Sequence, residues 1–154
     1  MMLNKQPKIL VAAADGAHAR FFDYSRDAKG GAARQVRVMN HPALQSKDLV
    51  SDRPGHGQGS NGGGTHAIEP RVSPHEAEET KFLHDVIAQI VKEAVGYDQL
   101  IIIAPPRALA VLRERLPRAE RERVVLELNK DVLRMPEGDV AKLVEDNLSA
   151  AVLH

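Results

Sequence analysis

Apolar positions along this chain follow two rhythms, a strand rhythm near the start and a helical one further on. Residues 8–14, apolar without a break from Ile9 to Ala14, stop at the turn pair Asp15-Gly16 and predict a buried strand. Residues 18–24 alternate around Phe21, Phe22 and Tyr24 and predict a second strand, with Asp15-Gly16-Ala17 as the hairpin connection. A polar break at Gly30-Gly31 precedes residues 35–39. There Val36 and Val38 are expected on one face and Gln35 and Arg37 on the other, as in a strand with one wet side. The three strands read as an antiparallel meander.

The clearest helix begins after residue 73. Ser73 is a capping residue, Pro74 suits the first helical position, and Glu76 stands three after the cap. Phe82, Leu83, Val86, Ile87, Ile90, Val91 and Ala94 recur at helical spacing, and Gly96 ends the pattern. Residues 100–104 are continuously apolar between turn residues, which predicts a central strand covered on both faces. Residues 107–116 predict a second helix, entered through Pro105-Pro106 and stopped by Pro117. Another strand follows at 124–128, and a last helix at 136–148 carries Val140, Leu143, Val144 and Leu148 on its apolar side. The order β-β-β-α-β-α-β-α predicts an α/β fold in which helices pack on one mixed sheet. It is the order of the ribonuclease H-like fold, which by itself assigns no function.

Between the third strand and the first helix lies a segment with neither rhythm. Six of the eleven glycines fall between positions 55 and 64, interspersed with Arg53, His56, Gln58, Thr65, His66 and Arg71. Such a stretch buries little apolar surface to offset its ordering entropy. A structureless loop of that length in a compact domain is expected to be functional or disordered. The whole chain, 1–154, therefore reads as a single domain with a flexible glycine-rich loop at about 45–70.

Composition narrows the function. The 21 basic and 21 acidic side chains cancel, which disfavours a globally basic nucleic-acid binder and leaves only a local patch. The absence of cysteine excludes disulfides, thiolate metal sites and thiol nucleophiles. No apolar run is long enough for a signal-peptide core or a membrane span, so the expected location is the cytoplasm.

Six separated strings, in order, resemble the bacterial host attachment protein family. They are residues 10–22 with Asp15, Gly16 and Arg20; residues 51–55 with Asp52 and Arg53; residues 63–71 with Thr65, His66, Glu69 and Arg71; Pro74-His75-Glu76; residues 103–107; and residues 127–131. The family is named for proteins required for attachment to host cells, a phenotype rather than a chemistry. It is similar in turn to the middle domain of archaeo-eukaryotic peptide release factors. That resemblance implies a ribonuclease H-like fold with a Gly-Gly-Gln loop between the third strand and the long helix. Here the same slot holds Gly57-Gln58 and Gly62-Gly63-Gly64, but His56 precedes Gly57 and no Gly-Gly-Gln tripeptide occurs. The loop's position carries over, and peptidyl-tRNA hydrolysis does not.

Three chemistries compete with structural explanations. Asp15 stands where ribonuclease H-like nucleases place a metal-binding aspartate on the first strand, yet the fourth strand exits into Ala104-Pro105-Pro106 without an acid. Asp-Gly is also an ordinary turn. His56, His66, Glu69, His75, Glu76 and Glu79 are ligand types for a divalent ion, with His75 and Glu79 on one helical face, but no compact metal motif is present. The third is an anion site. Glycine-loop N–H groups, the helix start beyond them and the flanking Arg53 and Arg71 suit phosphate. The arginines at 113, 115, 118, 121 and 123 interleave with Glu114, Glu120 and Glu122 and read as a salt-bridged surface.

The expectation is a non-catalytic binding module that needs no cofactor or metal. Its loop, through Arg53, Gly57, Gln58, Gly62, Gly63, Gly64, Thr65, His66 and Arg71, engages RNA, as tRNA or on the ribosome, or another phosphate-containing ligand. Asp15, Arg20, Asp52, Glu69 and His75 are further candidates. Two alternatives stand beside it: a metal- or loop-assisted hydrolase of a phosphate or ester bond, and a direct surface role in host attachment.

Overall fold

The computed structural model describes residues 6–27, 29–41 and 73–152. The glycine-rich segment, including Asp52, Arg53, Gly57, Gln58, Gly62, Gly63, Gly64, Thr65, His66, Glu69 and Arg71, lies outside the described residues. All six residues of strand β1 (Ile9–Ala14) are buried, because a strand pairs with it on each side and helices cover both faces. β2 (His18–Asp27) and β3 (Gly30–Asn40) complete the antiparallel meander. Helix α1 (Pro74–Ala94) leads to β4 (Gln99–Ile103), which lies parallel to β1. α2 (Pro106–Arg115) and the short α3 (Arg118–Arg121) precede β5 (Val124–Leu128), parallel to β4, and α4 (Glu137–Val152) follows. The sheet order is β3-β2-β1-β4-β5. This is the mixed α/β arrangement of a ribonuclease H-like fold, with one helix, α3, beyond the expected element order.

Strand alternation divides the core into two halves. Leu10, Ala12 and Ala14 of β1 and Leu100 and Ile102 of β4 meet Phe82, Leu83, Val86, Ile87 and Ile90 of α1, with Leu109 and Leu112 of α2. On the other face, Ile9, Val11, Ala13, Ile101 and Ile103 meet Val140, Val144 and Leu148 of α4. Each large side chain so buried contributes roughly 1.5–3 kcal/mol. α1 starts where the sequence places it. The Ser73 hydroxyl accepts from the Glu76 N–H at 3.1 Å, although the Glu76 carboxylate turns outward to another partner. At its other end Arg123 donates to the carbonyls of Ala94 and Tyr97, 2.9 Å each, and braces the chain where the helix stops.

Three local expectations are corrected. Gly30 and Gly31 are not a break before the third strand but its first two residues, so the β2–β3 hairpin is longer at both ends than the apolar pattern implies. Gly30 sits at φ 128°, and a β-carbon on Gly31 would meet the fully buried Tyr24 hydroxyl and ring, 2.6 Å from Cζ. Val36 and Val38 do not share a face. The register slips between Phe21 and Phe22, leaving Val36 as the extra residue of a bulge. Val36 packs on the α1 side, whereas Val38 is 47% exposed. Finally, Pro117 stops α2 as expected but also starts α3, whose Arg121 N–H donates to the Pro117 carbonyl at 2.8 Å. The arginines here are spent on the molecule itself: Arg113 pairs with Glu127, Arg118 with Glu122 and Arg123 with Glu120.

Two outcomes follow from this packing. Gly31→Ala should destabilise the fold by about 1–3 kcal/mol, because the buried Tyr24 ring has nowhere to move; an unchanged urea midpoint would contradict the packing described. Both tyrosines of the chain should ionise late. Burial raises Tyr24, and burial with the neighbouring Asp23 carboxylate, which accepts the Tyr97 hydroxyl at 3.1 Å, pushes Tyr97 up to about 12. The unfolded chain then loses these protons first, so stability should fall as pH rises from about 10 towards 12. An alkaline absorbance titration of the folded protein checks this, and a phenolate midpoint near the ordinary value for either residue would refute it.

Candidate functional site

The carboxyl ends of the parallel strands β1 and β4 open into a cleft of about 650 Å³. In open α/β sheets this is where ligands gather, because the strands end there and the helices begin. Three pieces of chain line it: the β1–β2 turn (Asp15, Gly16, Ala17, His18), the start of α1 (His75, Glu76, Glu79, Thr80) and the entry to α2 (Pro105, Arg107, Ala108).

Each acidic group in the cleft has a defined contact. Asp15 Oδ1 accepts from the N–H groups of Ala17 and His18, 2.8 Å each, while the Asp15 N–H donates to the His18 carbonyl at 2.9 Å. These bonds shape the hairpin turn, a structural use of the candidate aspartate. The His18 ring lies 3.4 Å from the same carboxylate. Glu79 packs directly over the turn: a β-carbon on Gly16 would come within 2.6 Å of Glu79 Cγ. Its carboxylate meets His75 Nε2 at 3.2 Å, one helical turn away, as the spacing predicts. Glu76 accepts from Arg107 Nη1 at 2.6 Å across the cleft. Among the described residues no group of three or more histidines and acids is arranged to hold a metal ion.

The same rim receives the chain on either side of the glycine-rich segment. His41, the last described residue before it, donates its N–H to the Ala17 carbonyl at 2.9 Å. Its ring stands 3.2 Å from Glu78 and 5.5 Å from the Phe82 ring. Ser73, the first described residue after it, caps α1 two positions before His75. Both roots of the 42–72 segment are thus fastened beside the cleft.

Of the candidates that fall among described residues, Asp15 and His75 come together in this cleft and Arg20 does not. Arg20 faces a second cleft of about 460 Å³, which Asp15 and His18 also line, with Asn40, Asp131 and Arg134. Its Nη1 donates to the carbonyls of Val132, Leu133 and Met135 at 3.1, 3.2 and 2.7 Å, and its Nε to Gln35 at 2.6 Å. The guanidinium also lies 4.7 Å from the Phe22 ring centroid. Burial lowers its pKa and the charge of Glu137 opposes that shift. Arg20 is a strut that ties the segment before α4 to the sheet. Sequence reasoning missed Arg107 as a residue of the first cleft. Pro105-Pro106 marks it as the start of a helix, but nothing in the chain order reveals that this start faces the start of α1.

Removing the strut should be costly. Arg20→Met is expected to lower unfolding free energy by about 2–4 kcal/mol, since the Leu133 and Met135 carbonyls and Gln35 lose this donor and Val132 keeps only the Met135 N–H. Urea denaturation reads this, and a change under about 0.5 kcal/mol would show that the bonds are not formed.

No curated protein matches the chain. Among solved structures it is similar to Pelota of Archaeoglobus fulgidus, at 14% identity and a TM-score of 0.46 over 96% of this chain and 35% of that one. It is also similar to the Ppx/GppA phosphatase of Aquifex aeolicus, at 12% identity and a TM-score of 0.35 over 80% of this chain and 35% of that one. The chain therefore spans about a third of the length of either protein. No helix among the described residues is long and apolar enough to cross a membrane. The family model of proteins required for attachment to host cells matches residues 10–144, from β1 into α4, and the chain belongs to that family.

Proposed function

We propose that the protein is a non-catalytic binding module of the cytoplasm that engages RNA, as tRNA or on the ribosome, through the glycine-rich segment and the cleft beside it. The observation that carries this reading is the attachment of both roots of the 42–72 segment at the cleft rim, through His41 and Ser73. Arg53 and Arg71 belong to that segment by sequence, and the cleft beside its roots holds Arg107. Guanidinium groups grip phosphate oxygens in a two-pronged way.

Charge sets the mode of binding. Asp15, Glu76 and Glu79 line the cleft against the single guanidinium of Arg107, so a polyanion is repelled from the floor. Attraction then comes from exposed guanidinium groups, Arg107 included, which suits contacts to phosphate at the mouth of the cleft. With no net charge on the chain, affinity rests on these few arginines. The bonds that occupy Asp15 Oδ1 favour a structural over a catalytic use of that residue.

Filter binding to tRNA and ribosomes over a salt series tests the reading. Affinity should fall steeply with salt, and Arg53→Ala or Arg71→Ala should each weaken binding and reduce the salt slope by roughly one contact. Binding that is insensitive to both substitutions, or absent from folded protein, would sink it. Turnover of a phosphate or ester substrate that depends on Asp15 or a histidine would favour a hydrolase instead.

A further inference from the structure

We propose that Arg107 is the anion-binding side chain of the cleft and that Glu76 is its resident competitor, a carboxylate that occupies the guanidinium until a phosphate displaces it. This deepens the reading above and rests on it for the choice of ligand. Glu76 lies in the first turn of α1 and Arg107 in that of α2, and their 2.6 Å contact bridges the two helix starts across the cleft.

Three features single this pair out. The other two carboxylates of the cleft are engaged elsewhere: Asp15 by the turn N–H groups and Glu79 by His75. Glu76 is the one that faces the arginine. Next, the contact is single-pronged, from Nη1 alone to one oxygen, whereas Arg113 grips Glu127 through both Nε and Nη2. A phosphate can take two N–H groups of the fork at once, which this single Nη1 contact does not. Last, the pair is open to solvent, with Arg107 69% and Glu76 38% exposed. Exposed ion pairs hold with little net free energy, so the contact is weak enough for a ligand to break. The first turn of α2 contains no acid of its own, so the competitor arrives from across the cleft.

The test is a double-mutant cycle on the intact chain with two probes, inorganic phosphate followed by NMR and tRNA followed by filter binding. Glu76→Gln should tighten binding of both probes by roughly two- to fivefold, the scale of an exposed ion pair. The α1 cap survives that change because it uses the Glu76 backbone N–H. Arg107→Ala should weaken binding, and in its presence Glu76→Gln should bring no gain. A gain that persists without Arg107 means general charge removal and overturns the proposal, as does phosphate binding that leaves the Arg107 signals unmoved. Arg107-dependent gain with phosphate but no tRNA binding sinks the RNA reading and leaves this one standing. Tight tRNA binding indifferent to both residues does the reverse.

Discussion

The structure depends on the double burial of β1. A strand with partners on both edges and helices on both faces has every backbone group paired and every side chain covered, which is possible only if both sets of alternate residues are apolar. Its second half is three alanines, small enough for the sheet to be covered closely on each side at the point where the cleft opens. The antiparallel meander hangs from one edge of β1 and the parallel pair β4-β5 from the other, so its carboxyl end is where hairpin, α1 and α2 converge. The cleft is a consequence of that geometry before any ligand is considered.

Arginines hold the periphery to this centre. Arg20 reaches from β2 to three carbonyls ahead of α4, and Arg123 reaches from the start of β5 to the end of α1. Both act where a chain segment ends without regular hydrogen bonding, and the rigid five-donor fork suits several carbonyls at once. These two guanidinium groups therefore serve the fold itself.

At the cleft the acids behave alike. Each has a nearby donor or cation, whether turn N–H groups, an imidazole or a guanidinium, and these pairings fix the turn, the start of α1 and the approach of α2. Three of the histidines, His18, His41 and His75, meet carboxylates at this one end of the molecule. These pairings hold the surface at this end of the sheet in shape.

The amino-acid sequence alone determined the layered order. Continuous apolar runs in β1 and β4, the helical spacing from Phe82 to Ala94 and the Ser73-Pro74 cap are local signals whose physics needs no tertiary context. The Asp15 turn and the His75–Glu79 pairing were legible for the same reason, since both act within a few residues. What was not legible involved partners distant in sequence. The bulge at Val36 is set by pairing with β2, and Gly31 belongs to a strand because Tyr24 lies beneath it. The bracing bonds of Arg20 were hidden because its carbonyl partners lie more than a hundred positions away. Arg107 joins the cleft only when folding brings it to Glu76. Periodicity records which face of an element is buried; which side chains meet across elements is decided by the sheet order and the packing of helices upon it.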